Sequence, residues 1–391
     1  MAVERTAPAA PRTAAGASAL FRWGAALRAA TPALLTYAAI RAVSLVVMGI
    51  WMAAVDESPH RFLAYRWDSR WYARIAKQGY GYSSFSSGRD HPDVAFFPML
   101  PLLERAVSSV VPVVTNNAGL LISWTASLVA AWGIYAVAAL LYRPAVGLVL
   151  VGLWGACPPA FAQSMAYTET LFTAFAAWAL YAVLTDRWWL AGALAVTAGL
   201  TRPSGVAVVA AVLVGGAAEL LRRRRGAVPR RRVLAAMAVA PLGWLGYVAF
   251  VSVERGSLTG YFDVQKEWGN SFDGGRGFAR FVVWMLDVNP AHGLLVVTVV
   301  AVLLALLVAC VWQRQPLPLL TYTGVIALTA LVSSGYFTSR PRLLMPAFAL
   351  LLPLAGWLAR RPRAVTAGVL ATAALCSGLY GTWFFLYEGP P

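Results

Sequence analysis

This chain predicts an all-α integral membrane fold of about eleven transmembrane helices, and three observations carry the prediction. Of its 391 residues, 60% are hydrophobic and only 12% are charged. The mean hydropathy is +0.65, more apolar surface than a soluble domain of this length can hide. The apolar residues also recur in long runs, separated by short polar islands rich in Pro, Gly and Arg.

The first thirty residues are rich in Ala, Pro and Arg and lack an apolar core, so a disordered cytoplasmic tail is expected over 1–30 rather than a signal peptide. A single transmembrane domain would then occupy 31–391. Its first span is read at 31–55, with Arg41 inside it expected to snorkel to the cytoplasmic surface. An outer loop follows at 56–117. Within it, 94–113 is apolar but is interrupted by Pro98, Pro101, Glu104 and Arg105, so an interfacial or re-entrant helix is expected there.

Further runs lie at 118–141, 145–163 and 168–185, and two short ones at 189–201 and 204–221 flank "TRPSG". The first of the short pair reaches only about 20 Å across a ~30 Å hydrocarbon core. A span at 233–253, a second outer loop at 254–292, and spans at 293–312, 317–334, 343–358 and 364–386 complete the count. Eleven spans place the N-terminus inside and the C-terminus outside. The arginine clusters at 222–232 and 359–363 then both face the cytoplasm, as the positive-inside rule requires. Counting 94–113 as a twelfth span would turn both outward.

The net charge of +16 is explained by cytoplasmic loops and anionic headgroups, and no nucleic-acid partner is expected. Cys157, Cys310 and Cys376 lie far apart in apolar runs, and His60, His91 and His292 match no zinc spacing, so neither a disulfide framework nor a zinc site is read. No Gly-rich nucleotide fingerprint is present.

With this topology five polar features reach the outer face: "YRWDSRWYARIAKQGYGY" (65–82), "AYTET" (166–170), "TRPSG" (201–205), the loop 254–292 and "SGYFTSRPR" (334–342). Broken helices at membrane depth are tolerated where they line a cavity, so one common outer site is expected. In the first feature, helical spacing puts Asp68, Trp71, Tyr72 and Ile75 on one face. Arg66, Arg70, Arg74 and Lys77 fall on the other, and Gly79 is placed to end the helix.

Each candidate also has a purely structural reading. Asp68 could be only the N-cap of its helix, with the aromatics as interfacial anchors. Glu169 opens a span, where a carboxylate meets the positive end of the helix dipole. Arg340 and Arg342 flank Pro341 before a span and could serve topology alone. Arg202 is harder to explain that way, because a charge between two half-length helices is costly unless paired. Beside Pro and Ser-Gly amides it suits a phosphate.

"RWDSRWYARIAKQGYGY", followed by "AFFPMLPLL", resembles the PIG-V family, the GPI mannosyltransferase II group of multispanning glycosyltransferases. "AYTETLF", "LTRPSG" and "RPRLLMPAFAL" resemble its later motifs in the same order, from about Arg41 to Phe348. "TRPSG" departs from the family's more usual Thr-Arg-Ser-Asn-Gly, which bears on the role of Ser204. The resemblance implies a GT-C type fold and transfer of mannose from a polyprenyl-phosphate donor to a lipid- or protein-linked acceptor outside the cell membrane.

The same resemblance places the general base at Asp68, with Trp67, Trp71, Tyr72, Glu169, Arg202, Arg340 and Arg342 around the substrates. A glycosyl phosphate already carries a good leaving group, so one base and cations for the departing phosphate suffice, with inversion. No cofactor is required, and a divalent metal between Asp68 and Glu169 stays open. A transporter or flippase of a lipid-linked sugar is the alternative from another class, and a scaffold subunit docking through 254–292 is a third.

Overall fold

The structure, a computed structural model, describes residues 19–86, 88–222, 228–335 and 337–387. Among the described residues its regular structure is helical apart from one small antiparallel hairpin, in which Ser83–Ser86 pairs with Arg89–Pro92, Ser83 opposite Pro92, and an isolated bridge between Phe272 and Ser333. Among the described residues, six helices are long and apolar enough to cross a membrane: Gly24–Ala54, Thr115–Leu141, Gly205–Arg222, Arg230–Glu254, Pro290–Trp312 and Arg363–Tyr387. Shorter apolar helices lie at Glu169–Leu184, Trp188–Gly199, Leu317–Val332 and Phe348–Leu358. The chain is a multi-pass membrane protein, but the expected span 343–358 is not one helix: Arg340–Leu344 ends before Pro346, and the chain resumes as a 3-10 turn, Phe348–Leu351, and a short helix, Leu352–Leu358.

Small residues let the helices approach. Thr115–Leu141 packs on Glu169–Leu184 through buried Ala130, Gly133 and Ala177. A Cβ on Gly133 would stand 2.9 Å from that of Ala177. In hydrocarbon such close packing replaces the hydrophobic drive that water would supply.

Three further expectations change and a fourth is sharpened. The first helix begins at Ala19, so 19–30 belong to it rather than to a tail, and residues 1–18 lie outside the described residues. The run 145–163 is not one straight span. It breaks after Gly155 and continues as a 3-10 helix, Pro158–Ser164, bent by 84°, because Pro158 and Pro159 cannot continue the helix.

Arg41 does not snorkel. It is buried, donating to the Gly155 carbonyl at 3.2 Å and to Ser164 Oγ at 2.7 Å, so it caps the carbonyl end of the broken helix. Finally, after a 3-10 turn at Asp93–Ala95, 94–113 forms an α-helix over Met99–Val110, about 18 Å long, with Leu100, Pro101 and Glu104 buried and Leu102 and Val110 exposed. That is an amphipathic helix too short to span, in keeping with the expected interfacial or re-entrant element.

Contacts sort the loops into two sets. Arg143, between the second and third runs, donates to the Ala359 carbonyl at 2.7 Å, joining two loops read as cytoplasmic. Of the arginine cluster 222–232, residues 223–227 lie outside the described residues. The loops read as outer meet one another at the site described next.

Candidate active site

Asp68 opens a helix, Asp68–Gln78, whose N-cap is Trp67, and no side chain caps it. The capping reading of Asp68 is thereby replaced: its carboxylate points away from its own helix and accepts from Arg342 Nη1 at 2.6 Å. Trp67 has φ +50° and ψ −123°, a conformation that costs a bulky L-residue roughly 1–3 kcal/mol. That strained turn aims Asp68 across the molecule. Gly79, with φ +80°, ends the helix as the sequence suggested, its N–H donating to the Ile75 carbonyl at 2.8 Å.

Arg342 sits in a five-residue helix, Arg340–Leu344, held between the end of Leu317–Val332 and the next apolar run. Its Nε lies 3.3 Å from Glu169 Oε1, and its guanidinium stands over the Tyr167 ring at 4.9 Å. The same Glu169 oxygen lies 2.5 Å from Arg202 Nη1, which also donates to Thr168 Oγ1 at 3.2 Å. Tyr72 Oη and Thr168 Oγ1 share a hydrogen bond of 3.2 Å. Four segments distant in sequence thus build one chain of alternating charge: Asp68, Arg342, Glu169, Arg202.

The two carboxylates have different surroundings. The Glu169 side chain is 1% exposed and holds both arginines, whereas the Asp68 side chain is 27% exposed at the mouth of the cluster. Breaking a buried ion pair by removing one partner costs about 3–5 kcal/mol, so Glu169 is the counter-ion that keeps two arginines at this depth. Asp68 is the carboxylate that a second molecule can reach.

Arg202 is placed by the break at Thr201–Ser204 between Trp188–Gly199 and Gly205–Arg222. The crossing is close: a Cβ on Gly205 would stand 2.6 Å from the Gly199 Cα. Beneath the cluster a buried polar network joins two of its segments. Gln163 accepts from Tyr37 Oη at 2.9 Å and donates to the Trp154 carbonyl at 2.9 Å. It also lies 3.3 Å from Met345 Sδ, three residues past Arg342.

Three predicted residues fall outside the cluster. Arg340 spends its guanidinium on the Ala330 and Leu331 carbonyls, at 2.6 and 3.0 Å, and on the Ser333 carbonyl, closing the end of Leu317–Val332. Trp67 stacks on Phe385 of the last helix at 5.7 Å. Trp71 joins an aromatic group beside the cluster, stacked on Phe96 at 5.4 Å and edge-on to Trp268 at 5.2 Å. Trp268 brings in the loop 254–292, so all five polar features meet. The cationic stripe is partly engaged: Arg66 lies over Phe62 at 4.0 Å and Arg74 over Tyr82 at 3.3 Å, while Arg70 and Lys77 are exposed.

Tyr167 and Thr168 are site residues that sequence reasoning did not single out, although both stand in the quoted "AYTET". A divalent cation does not fit the two acids as they stand, because the Arg342 guanidinium lies between them. Among the described residues no group of three or more His, Cys, Asp or Glu could hold a metal ion.

No family model matches the chain, and no curated protein matches it. Solved structures do. Those of ArnT from Cupriavidus metallidurans are 16% identical with undecaprenyl phosphate bound (TM-score 0.46, 86% of this chain and 62% of that one). In the apo state they are 15% identical (TM-score 0.49, 86% and 61%). The apo oligosaccharyltransferase of Archaeoglobus fulgidus is 13% identical over 92% of this chain and 56% of that one, with a TM-score of 0.51. The chain spans about three fifths of the length of these proteins. What it shares with the archaeal enzyme is architecture, and the fold is accordingly the GT-C type that the motifs implied.

Proposed function

We propose that this protein is a membrane glycosyltransferase that moves a hexose, mannose by its motif resemblance, from a polyprenyl-phosphate donor to a glycan or lipid-linked acceptor at the extracytoplasmic face. The reading rests above all on the alternating cluster: a reachable carboxylate, Asp68, stands 2.6 Å from a buried arginine that a second carboxylate ties to a second arginine. One base and two cations, among broken helices in an apolar chain, are what displacement at a glycosyl phosphate needs.

In this scheme the acceptor hydroxyl gives its proton to Asp68 while its oxygen forms a bond to the anomeric carbon. The bond from that carbon to the phosphate oxygen breaks, and its electron pair leaves with the polyprenyl phosphate, whose charge Arg202 and Arg342 balance. A single displacement inverts the anomeric centre. Glu169 fixes the two guanidinium groups, and Arg340 acts at one remove by anchoring the turn that carries Arg342. Trp71 and its aromatic neighbours would offer an apolar face to a sugar ring.

The test is transfer by purified protein in lipid nanodiscs. Polyprenyl-phosphate mannose, with polyprenyl-phosphate glucose and arabinose as comparisons, is offered with a panel of lipid-linked and peptide-linked glycans. Mannose transfer to any acceptor, with inverted configuration in the product, is the expected result. Donor binding with no transfer to any acceptor, together with movement of the donor across the bilayer, would favour a transporter of lipid-linked sugar instead.

A further inference from the structure

We propose, on the strength of that reading, that the donor phosphate and Asp68 compete for Arg342, so that binding the donor is itself what frees the base. Two guanidinium cations and two carboxylates make the resting cluster neutral. A phosphate entering it brings negative charge that no further cation in the cluster balances, and one carboxylate must give up its partner. Glu169 is 1% exposed and touches both arginines, so its departure would strand two buried cations. Asp68 has 27% of its side chain exposed and a single ion-pair contact, so it is the one to leave.

The geometry of Arg342 suits an exchange of partners. Its Nε is directed to Glu169 and its Nη1 to Asp68, so an anion that takes Nη1 leaves the Glu169 contact intact. A guanidinium fork accommodates a phosphate as readily as a carboxylate. While Arg342 holds Oδ2, half of the Asp68 carboxylate faces into the cluster and away from any acceptor hydroxyl. Once displaced, both oxygens are available. The donor must then bind before the acceptor is activated, and Asp68 re-forms its pair with Arg342 once Asp68 has lost its proton and the product phosphate has left Arg342.

The experiment measures binding of polyprenyl phosphate, the product lipid, to the full-length protein in nanodiscs. A phosphate monoester carries about −1.5 to −2 charges near neutral pH and so is the strongest competitor. If Asp68 is a rival for Arg342, Asp68→Asn removes the rival's charge and the lipid binds more tightly, by about tenfold. Asp68→Ala should act in the same direction, which guards against an effect peculiar to the asparagine amide. In an Arg342→Gln background the Asp68→Asn change should have no effect. Unchanged or weaker binding by both Asp68 variants overturns the competition and leaves the donor reading standing. Failure of the parent protein and both variants to bind the lipid overturns the donor reading itself.

Discussion

Arg340 and Arg342 are two residues apart and carry the same charge, yet only one reaches Asp68. On a helix, positions i and i+2 point about 200° apart, so when one guanidinium enters the cluster the other must leave it. Arg340 turns back onto the carbonyls of the preceding helix, and Arg342 faces the site. Glu104 shows a second kind of charge. Neither carboxyl oxygen has a hydrogen-bond partner, and one lies where a Cβ on Gly119 would stand, 2.3 Å away. Burial pushes this carboxyl from its ordinary 4.5 up to about 9, against a weaker pull from Lys77.

A group that holds its proton more tightly when folded stabilises the fold fully below its unfolded pKa. That stabilisation is lost as pH rises toward the folded value, here between about 4.5 and 9. Glu104→Gln removes the dependence. The melting temperature of the variant relative to the parent should therefore be several degrees higher at pH 8 than at pH 5, and an equal difference at the two values would contradict the buried neutral carboxyl. Arg202 was legible in the sequence because a charge between two half-length helices needs a partner, whereas Asp68 and Arg342 were reached through the motif resemblance. Tyr167 and Thr168 were not legible, since neutral hydroxyls in a polar motif carry no such demand. The different directions of Arg340 and Arg342 were not legible, because the short helix Arg340–Leu344 that sets them apart is too brief to leave a periodic signal.

At the scale of elements, the site is made from helix breaks. The bend at 155–158 turns the chain so that Tyr167, Thr168 and Glu169 arrive from within the protein, and the break at 201–204 brings in Arg202. The apolar pattern hid the first break, because hydropathy does not distinguish a straight span from a bent one and the Pro158-Pro159 pair was outweighed by its surroundings. The second was legible from Pro203 and the shortness of the flanking runs.

That second break depends on backbone proximity. A methyl group at Gly205 would meet the Gly199 Cα at 2.6 Å and the Ala198 carbonyl oxygen at 2.7 Å, with no side chain able to move aside. Overpacking of this kind typically costs about 1–3 kcal/mol. Gly205→Ala should lower the melting temperature and also weaken polyprenyl-phosphate binding, because separating these helices displaces Arg202 from Glu169. Gly356 has open space around it, so Gly356→Ala serves as the control and should change neither quantity. Unaltered lipid binding by Gly205→Ala would mean that the crossing does not position Arg202.

For the molecule as a whole, the polar contacts among the described residues fall into two groups. One joins Arg143 to the Ala359 carbonyl beside the 359–363 loop; the other gathers Asp68, Glu169, Arg202, Arg342 and the aromatic group around Trp71. Parity of spans and arginine density lead to the expectation that these two groups lie on opposite sides of the bilayer, because both follow from bilayer thickness and charge, which act on composition alone. The pairing of particular residues inside the cluster depended on three-dimensional breaks that composition does not encode.

The central claim is that Asp68 takes the proton from the acceptor. It is tested most directly by the single-turnover rate of sugar transfer in nanodiscs, comparing the parent protein with Asp68→Asn under saturating donor. Asparagine keeps the shape of the side chain but accepts no proton, and losing a general base typically slows a reaction by ~10²–10⁴. The expected result is a loss of that size, with melting temperature retained and donor still bound. Transfer by Asp68→Asn at the parental rate would contradict the claim.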